Sequence, residues 1–118
     1  MNMLLIAPHK RSISLKRFFR EERLYNVTTV GSWDAAKKYL GREEEIIVFT
    51  PEVASDIYRE FILLKSISKA KLFYITDFGK ENVLWQLLLS GIDGYAYQEP
   101  RQIDQAIIKL QAGEFVLN

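Results

Sequence analysis

The side chains able to do chemistry in this sequence are few and mostly uncharged. His9 is the only histidine and there is no cysteine, which removes thiol nucleophiles, disulfides, thiolate zinc sites and iron–sulfur clusters. Thr50 and Thr76 each close an apolar run, and Gln98 follows another. These three neutral groups could share a hydrogen-bonding pocket for a small molecule, or simply bond to backbone and water. No paired carboxylates suited to acid–base work stand at the ends of the apolar runs. His9 reads either as a pH sensor or ligand contact, or as a solvated loop or helix-capping histidine. Asp77-Phe78-Gly79 copies the metal-binding triplet of protein kinases, but the glycine-rich loop, strand lysine and catalytic loop are missing. Gly91-Ile92-Asp93-Gly94 fails as a dinucleotide fingerprint, because it follows a helix and enters a strand.

Charge and hydropathy bound the possible partners. Acidic and basic residues nearly cancel to a formal net charge of +1, so no global field draws the chain to nucleic acid or membrane. A basic stretch, Lys10, Arg11, Lys16, Arg17, Arg20 and Arg23, makes the first helix a conceivable phosphate-binding face. It has no interleaved aromatic platform, so it reads first as a solvated helix face, with a dock for an acidic partner as the intermediate option. No run reaches the roughly 20 apolar residues of a membrane span, and Met3 to Ala7 is too short for a signal peptide core. The expectation is a cytoplasmic protein with no membrane association and no direct nucleic-acid contact.

Five short apolar runs must position these groups: Met3–Ala7, Val27–Val30, Ile46–Thr50, Leu72–Thr76 and Gly94–Tyr97. Runs of about five continuous apolar residues predict strands covered on both faces, as in a parallel sheet. Helical spacing fills the intervals. The first helix is expected over Arg11 to Arg23, with Leu15, Phe18 and Phe19 inward. Ser32 caps a second with Asp34 in its first turn, Ala35, Ala36, Tyr39 and Leu40 inward and Gly41 at its end. A third spans Ala54 to Ser68 on Ile57, Phe61, Leu64 and Ile67. The fourth runs from Glu81 to Ser90 and stops at Gly91, and the fifth runs from Pro100 to Leu110 on Ile103, Ala106, Ile107 and Leu110. The sum is one domain over residues 1–118, a (βα)5 doubly wound parallel five-stranded sheet in a three-layer α/β sandwich. Right-handed crossovers place any ligand at the carboxyl ends of its strands.

On the fourth helix Leu84, Leu87 and Leu88 supply a buried stripe, which directs at least one of Trp85 and Leu89 outward. With Tyr97 on the neighbouring strand they form either a contact surface or ordinary packing.

From Lys71 the pattern becomes specific. Lys71-Leu72-Phe73-Tyr74-Ile75-Thr76, then a helix ending in Ser90-Gly91-Ile92-Asp93-Gly94-Tyr95, resembles the second half of the receiver domains of bacterial response regulators. Ala106-Ile107, Leu110 and Gly113-Glu114 look like receivers that precede LuxR-type DNA-binding domains. The resemblance covers essentially the whole chain and implies a flavodoxin-like fold, although no glycine-rich loop follows Ala7 to hold a flavodoxin-like cofactor.

Carried over position by position, the resemblance implies a lost chemistry. The two acidic magnesium ligands after the first strand correspond to Pro8 and His9, and imidazole is a poor ligand for an ion that prefers oxygen. The phosphoacceptor aspartate corresponds to Thr50, and the phosphate-pairing lysine to Gln98. Thr76 and Tyr95 match the family's switch hydroxyl and switch aromatic. The implied protein is a degenerate pseudo-receiver: no enzyme, no cofactor, no metal. It would act by dimerising with itself or contacting another signalling protein through the face of the fourth helix, fifth strand and fifth helix, and the end at Gly113 to Asn118 would suit a linker to a DNA-binding output domain. One rival expectation is a small-molecule sensor built on His9, Thr50 and Gln98. Another is a misaligned phosphoacceptor such as Asp56 or Asp77.

Overall fold

The structure, a computed structural model, describes residues 2–22, 25–39, 45–51, 56–76, 81–97 and 100–113. Gln98, Arg23, Leu40, Gly41, Ala54, Asp77-Phe78-Gly79 and Glu114 lie outside the described residues.

The five apolar runs form strands β1 (Asn2–Ile6), β2 (Asn26–Val30), β3 (Ile46–Phe49), β4 (Lys71–Thr76) and β5 (Gly94–Tyr97). They pair in parallel in the order β2-β1-β3-β4-β5. The alternation of strand side chains sends Met3, Leu5, Ile46, Val48, Phe73, Ile75 and Ala96 to one face, and Leu4, Ile6, Ile47, Phe49, Leu72, Tyr74 and Tyr95 to the other. Both faces are covered, which is why the runs carry no polar alternation.

Helices α1 (His9–Arg17) and α5 (Pro100–Gln111) cover the first face, with Leu15, Ile103, Ala106, Ile107 and Leu110 buried. Helices α2 (Trp33–Ala36), α3 (Ile57–Ile67) and α4 (Glu81–Leu89) cover the second. Helix α1 runs on into a π-helical turn, Phe18–Glu22. That turn keeps Phe19 fully buried, stacked on Tyr25 at 6.1 Å, and leaves Phe18 only half-buried. Ser32 caps α2 as expected, its Oγ accepting from the Ala35 N–H at 3.2 Å.

Two inward assignments change. Ala35 is exposed and Trp33 is buried in its place. The cause is that α2 tightens into a 3-10 turn over Lys37–Tyr39, so positions 33, 36 and 39 share a face at a spacing of three. Ile67 is exposed rather than inward; the 3.6-residue repeat carries it past Leu64 onto the flank that α3 turns toward α2.

The end of α4 shows what the Gly91-Ile92-Asp93-Gly94 segment does. Gly91 adopts φ +89°, its N–H reaches the Leu88 carbonyl, and the Ile92 N–H reaches that of Leu87. This is the paired closure in which glycine stops a helix. Asp93 then clasps the start of β4: its Oδ2 accepts from the Leu72 N–H at 2.8 Å, and its own N–H donates to the Leu72 carbonyl at 3.1 Å. Lys65 Nζ donates to the Ser90 and Gly91 carbonyls at 2.6 and 3.0 Å, tying α3 to the same corner. A side chain at position 91 would land on that ammonium. Gly91→Ala is therefore expected to destabilise the domain by about 2 kcal/mol, from the left-handed backbone and the displaced lysine. A lower urea midpoint with an unchanged slope is the readout.

Candidate functional site

The sheet order reverses between β1 and β3: the chain leaves β1 toward β2 on one side and builds β3, β4 and β5 on the other. The crevice beyond the carboxyl ends of these two strands is where doubly wound sheets take ligands. Pro8 and His9 follow β1, and Thr50 follows β3, so three of the four expected pocket positions do flank this point. The fourth, Gln98, lies outside the described residues.

Pro8 is the residue ahead of α1, and its carbonyl accepts from the N–H groups of Arg11 and Ser12 at 3.0 and 2.9 Å. His9 opens the helix with an exposed side chain, and its carbonyl accepts from Ser12 Oγ at 3.0 Å. Thr50 is the opposite case. It is fully buried, its N–H donates to the Ile6 carbonyl at 3.2 Å, and its Oγ1 finds no hydrogen-bond partner. The β1 end thus presents its imidazole to solvent, whereas the β3 end buries its hydroxyl. Among the described residues no cluster of histidine and carboxylate side chains could hold a metal ion.

Thr76 ends β4 and is buried. It pairs in register with Tyr97, and Tyr74 pairs with Tyr95. Strand alternation puts Thr76 on the same face as Tyr74, and Tyr95 is a diagonal neighbour on the adjacent strand. The hydroxyl and the aromatic ring therefore meet the α4 side of the sheet together. Tyr95 is buried in that core, and Tyr97 is half-buried against it.

On α4, Leu87 is fully buried, Leu84 is buried and Leu88 is half-buried. Trp85 is 63% exposed and Leu89 85% exposed, so both point outward. One turn apart, they make a continuous apolar strip on the helix surface.

Asp56 is engaged elsewhere. It caps α3, with its Oδ1 accepting from the Arg59 N–H at 3.1 Å. Two features were not evident in the sequence: the Lys65 clamp on the end of α4, and a groove between α2 and α3 floored by Trp33. The bond from Lys65 spans 25 positions, and the burial of Trp33 depends on the 3-10 turn, so no local pattern announces either.

No protein-family model matches the sequence, and a search of curated proteins gives no match. Solved structures do match. A LuxR-family DNA-binding response regulator from Silicibacter pomeroyi superposes with a TM-score of 0.80 at 15% identity, over 100% of this chain and 97% of that one. The RcsB response regulator of Salmonella typhimurium gives 0.83 at 16% identity, and the chain spans 63% of its length. A LuxR-family two-component response regulator from Aurantimonas sp. gives 0.80 at 18% identity, with 98% and 88% covered. At such identities the likeness is one of fold, and it extends from the first strand to the last helix: the chain has the receiver fold of response regulators.

Proposed function

We propose that this domain is a pseudo-receiver, a signalling module that works by protein–protein contact and without aspartyl phosphorylation. The observation that carries the reading is Thr50, which stands at the end of β3 with its hydroxyl shut away from solvent and no base beside it among the described residues. A threonine hydroxyl without an adjacent base is a weak nucleophile and cannot form an acyl phosphate. Pro8 and His9 offer no carboxylate after β1, where a magnesium ion would need oxygen ligands.

The output surface in this reading is the α4 face. Trp85 and Leu89 expose large apolar groups there, and such groups are the usual anchors of an interface. A second copy of the domain is the partner. The RcsB regulator, which shares the fold, is described as dimers bound to DNA, which supports self-association here and a DNA-binding output domain in a longer protein. The Thr76–Tyr95 diagonal would link the strand ends to α4, since packed elements can hold two discrete arrangements.

Light scattering on a size-exclusion column across a wide protein concentration range tests the reading. A concentration-dependent dimer is expected; a strict monomer at every concentration contradicts self-association. One observation favours a second reading, a small-molecule sensor: the buried Thr50 Oγ1 has no partner. A nucleotide or metabolite that raised the melting temperature of the wild-type domain, and not of Thr50→Val, would favour the sensor.

A further inference from the structure

Between α2 and α3 the surface opens into a groove of about 480 Å³, lined chiefly by Trp33, Lys37, Glu60, Leu63, Leu64 and Ile67. The volume falls in the range of small-molecule sites, roughly 300–1,000 Å³. Its floor is apolar and well packed, with Trp33 and Leu64 buried, and the Trp33 ring set edge-on to Phe49 at 5.3 Å. Its rim leaves apolar surface uncovered at Leu63 and Ile67.

One carboxylate oxygen in this wall is unsatisfied. Glu60 Oε2 is closed off from water and has no hydrogen-bond partner. A buried carboxylate oxygen without a donor is unfavourable. The neighbouring cation does not relieve it, because Lys37 Nζ is held by Asp34 Oδ1 at 3.0 Å on the outer surface. The Lys37 ammonium is stabilised first by its hydrogen bond to Asp34, and Glu60 adds only a minor electrostatic contribution. The terminal torsion of a glutamate is broad, so a small rotation can turn the free oxygen toward a donor in the groove.

We propose that the α2–α3 groove is a binding site for a small amphipathic ammonium, its apolar body lying on Trp33 between Leu63 and Ile67 and its protonated amine donating to Glu60. One occupant then answers both deficits, the uncovered rim and the unpaired acceptor. An ionised carboxylate can only accept, so it selects a donor, and a charged donor forms the stronger bond. An anionic amphiphile of the same length would set like charge against Glu60 and is rejected. The site lies between α2 and α3, on residues other than Thr50 and the Trp85–Leu89 strip, and stands whether or not the domain dimerises.

The test is amide and indole NMR of the chain at constant ionic strength, titrated with hexylammonium, hexanol and hexanoate. Hexylammonium is expected to give saturable shifts at the Trp33 indole N–H and at the amides of Lys37, Leu63 and Ile67. Hexanol is expected to bind roughly tenfold more weakly, and hexanoate not at all. Glu60→Gln should bring hexylammonium down to the level of hexanol. Ile67→Lys, at an exposed rim position, is a second variant that leaves the core intact and should also weaken the ammonium selectively. Equal binding of the three probes, no saturable shift with hexylammonium, or full affinity in a folded Glu60→Gln or Ile67→Lys protein would overturn the proposal.

Discussion

Phe49→Ala is expected to lower the stability of the domain by about 3–5 kcal/mol, the usual range for emptying a large aromatic site in a core. Phe49 is fully buried at the end of β3, and three aromatic rings surround it. Trp33 lies edge-on at 5.3 Å, Tyr74 at 5.3 Å and Phe61 at 6.3 Å. These rings come from α2, β4 and α3, so the cavity would loosen three elements that share one cluster. Small domains hold only about 5–15 kcal/mol in total, so the variant would sit near the limit of folding at ordinary temperature. Urea unfolding followed by fluorescence gives the loss directly. Ile67→Ala is the matched control. It removes an apolar group that is 60% exposed and is expected to change stability by no more than about 0.5 kcal/mol. Similar losses in the two variants would mean that the core is not organised around Phe49.

Trp85→Arg is expected to separate association from folding. Trp85 belongs to neither buried cluster among the described residues, and more than half of its surface is open to solvent. Far-ultraviolet circular dichroism and the urea midpoint should therefore match the wild type. In the proposed dimer the same side chain is a central anchor. Removing a hot-spot tryptophan typically weakens an interface by about 2 kcal/mol or more, which is roughly a 30-fold rise in the dimer dissociation constant. The substituted guanidinium adds a charge that the interface must desolvate. Leu89→Arg, one turn along the same strip and 85% exposed, should act in the same direction. A folded Trp85→Arg protein that still dimerised at wild-type concentrations would move the output surface elsewhere.

The sequence made the sheet readable because its strands are buried on both faces. Continuous apolar runs such as Ile46–Phe49 and Leu72–Ile75 leave no other periodicity, and every expected strand is present to within a residue at either end. Helix α5 was equally legible, because its four inward residues repeat at helical spacing and all four are buried. What failed were places where the period changes. The π-helical turn at Phe18–Glu22 and the 3-10 turn at Lys37–Tyr39 alter the residue count per turn without any marker in composition, and the burial of Trp33 follows from the second.

The candidate site divides in the same way. That Pro8, His9 and Thr50 stand at the reversal of strand order follows from the alternation of strands and helices: Pro8 and His9 come after β1, and Thr50 after the neighbouring β3. Which of them is accessible did not follow. The exposed His9 and the sealed Thr50 are set by tertiary packing around each strand end. The Trp85–Leu89 strip was legible in outline: counting inward leucines put at least one of the two outside, and the structure turns out both.

Amide NMR of the domain before and after magnesium and beryllofluoride, which together mimic an aspartyl phosphate, bears most directly on the pseudo-receiver reading. With threonine at the end of β3 and no carboxylate after β1, the spectra are expected to superimpose. Saturable shifts clustered at Thr50, Thr76 and Gln98 would contradict it, and would mean that this domain keeps a working phosphoacceptor.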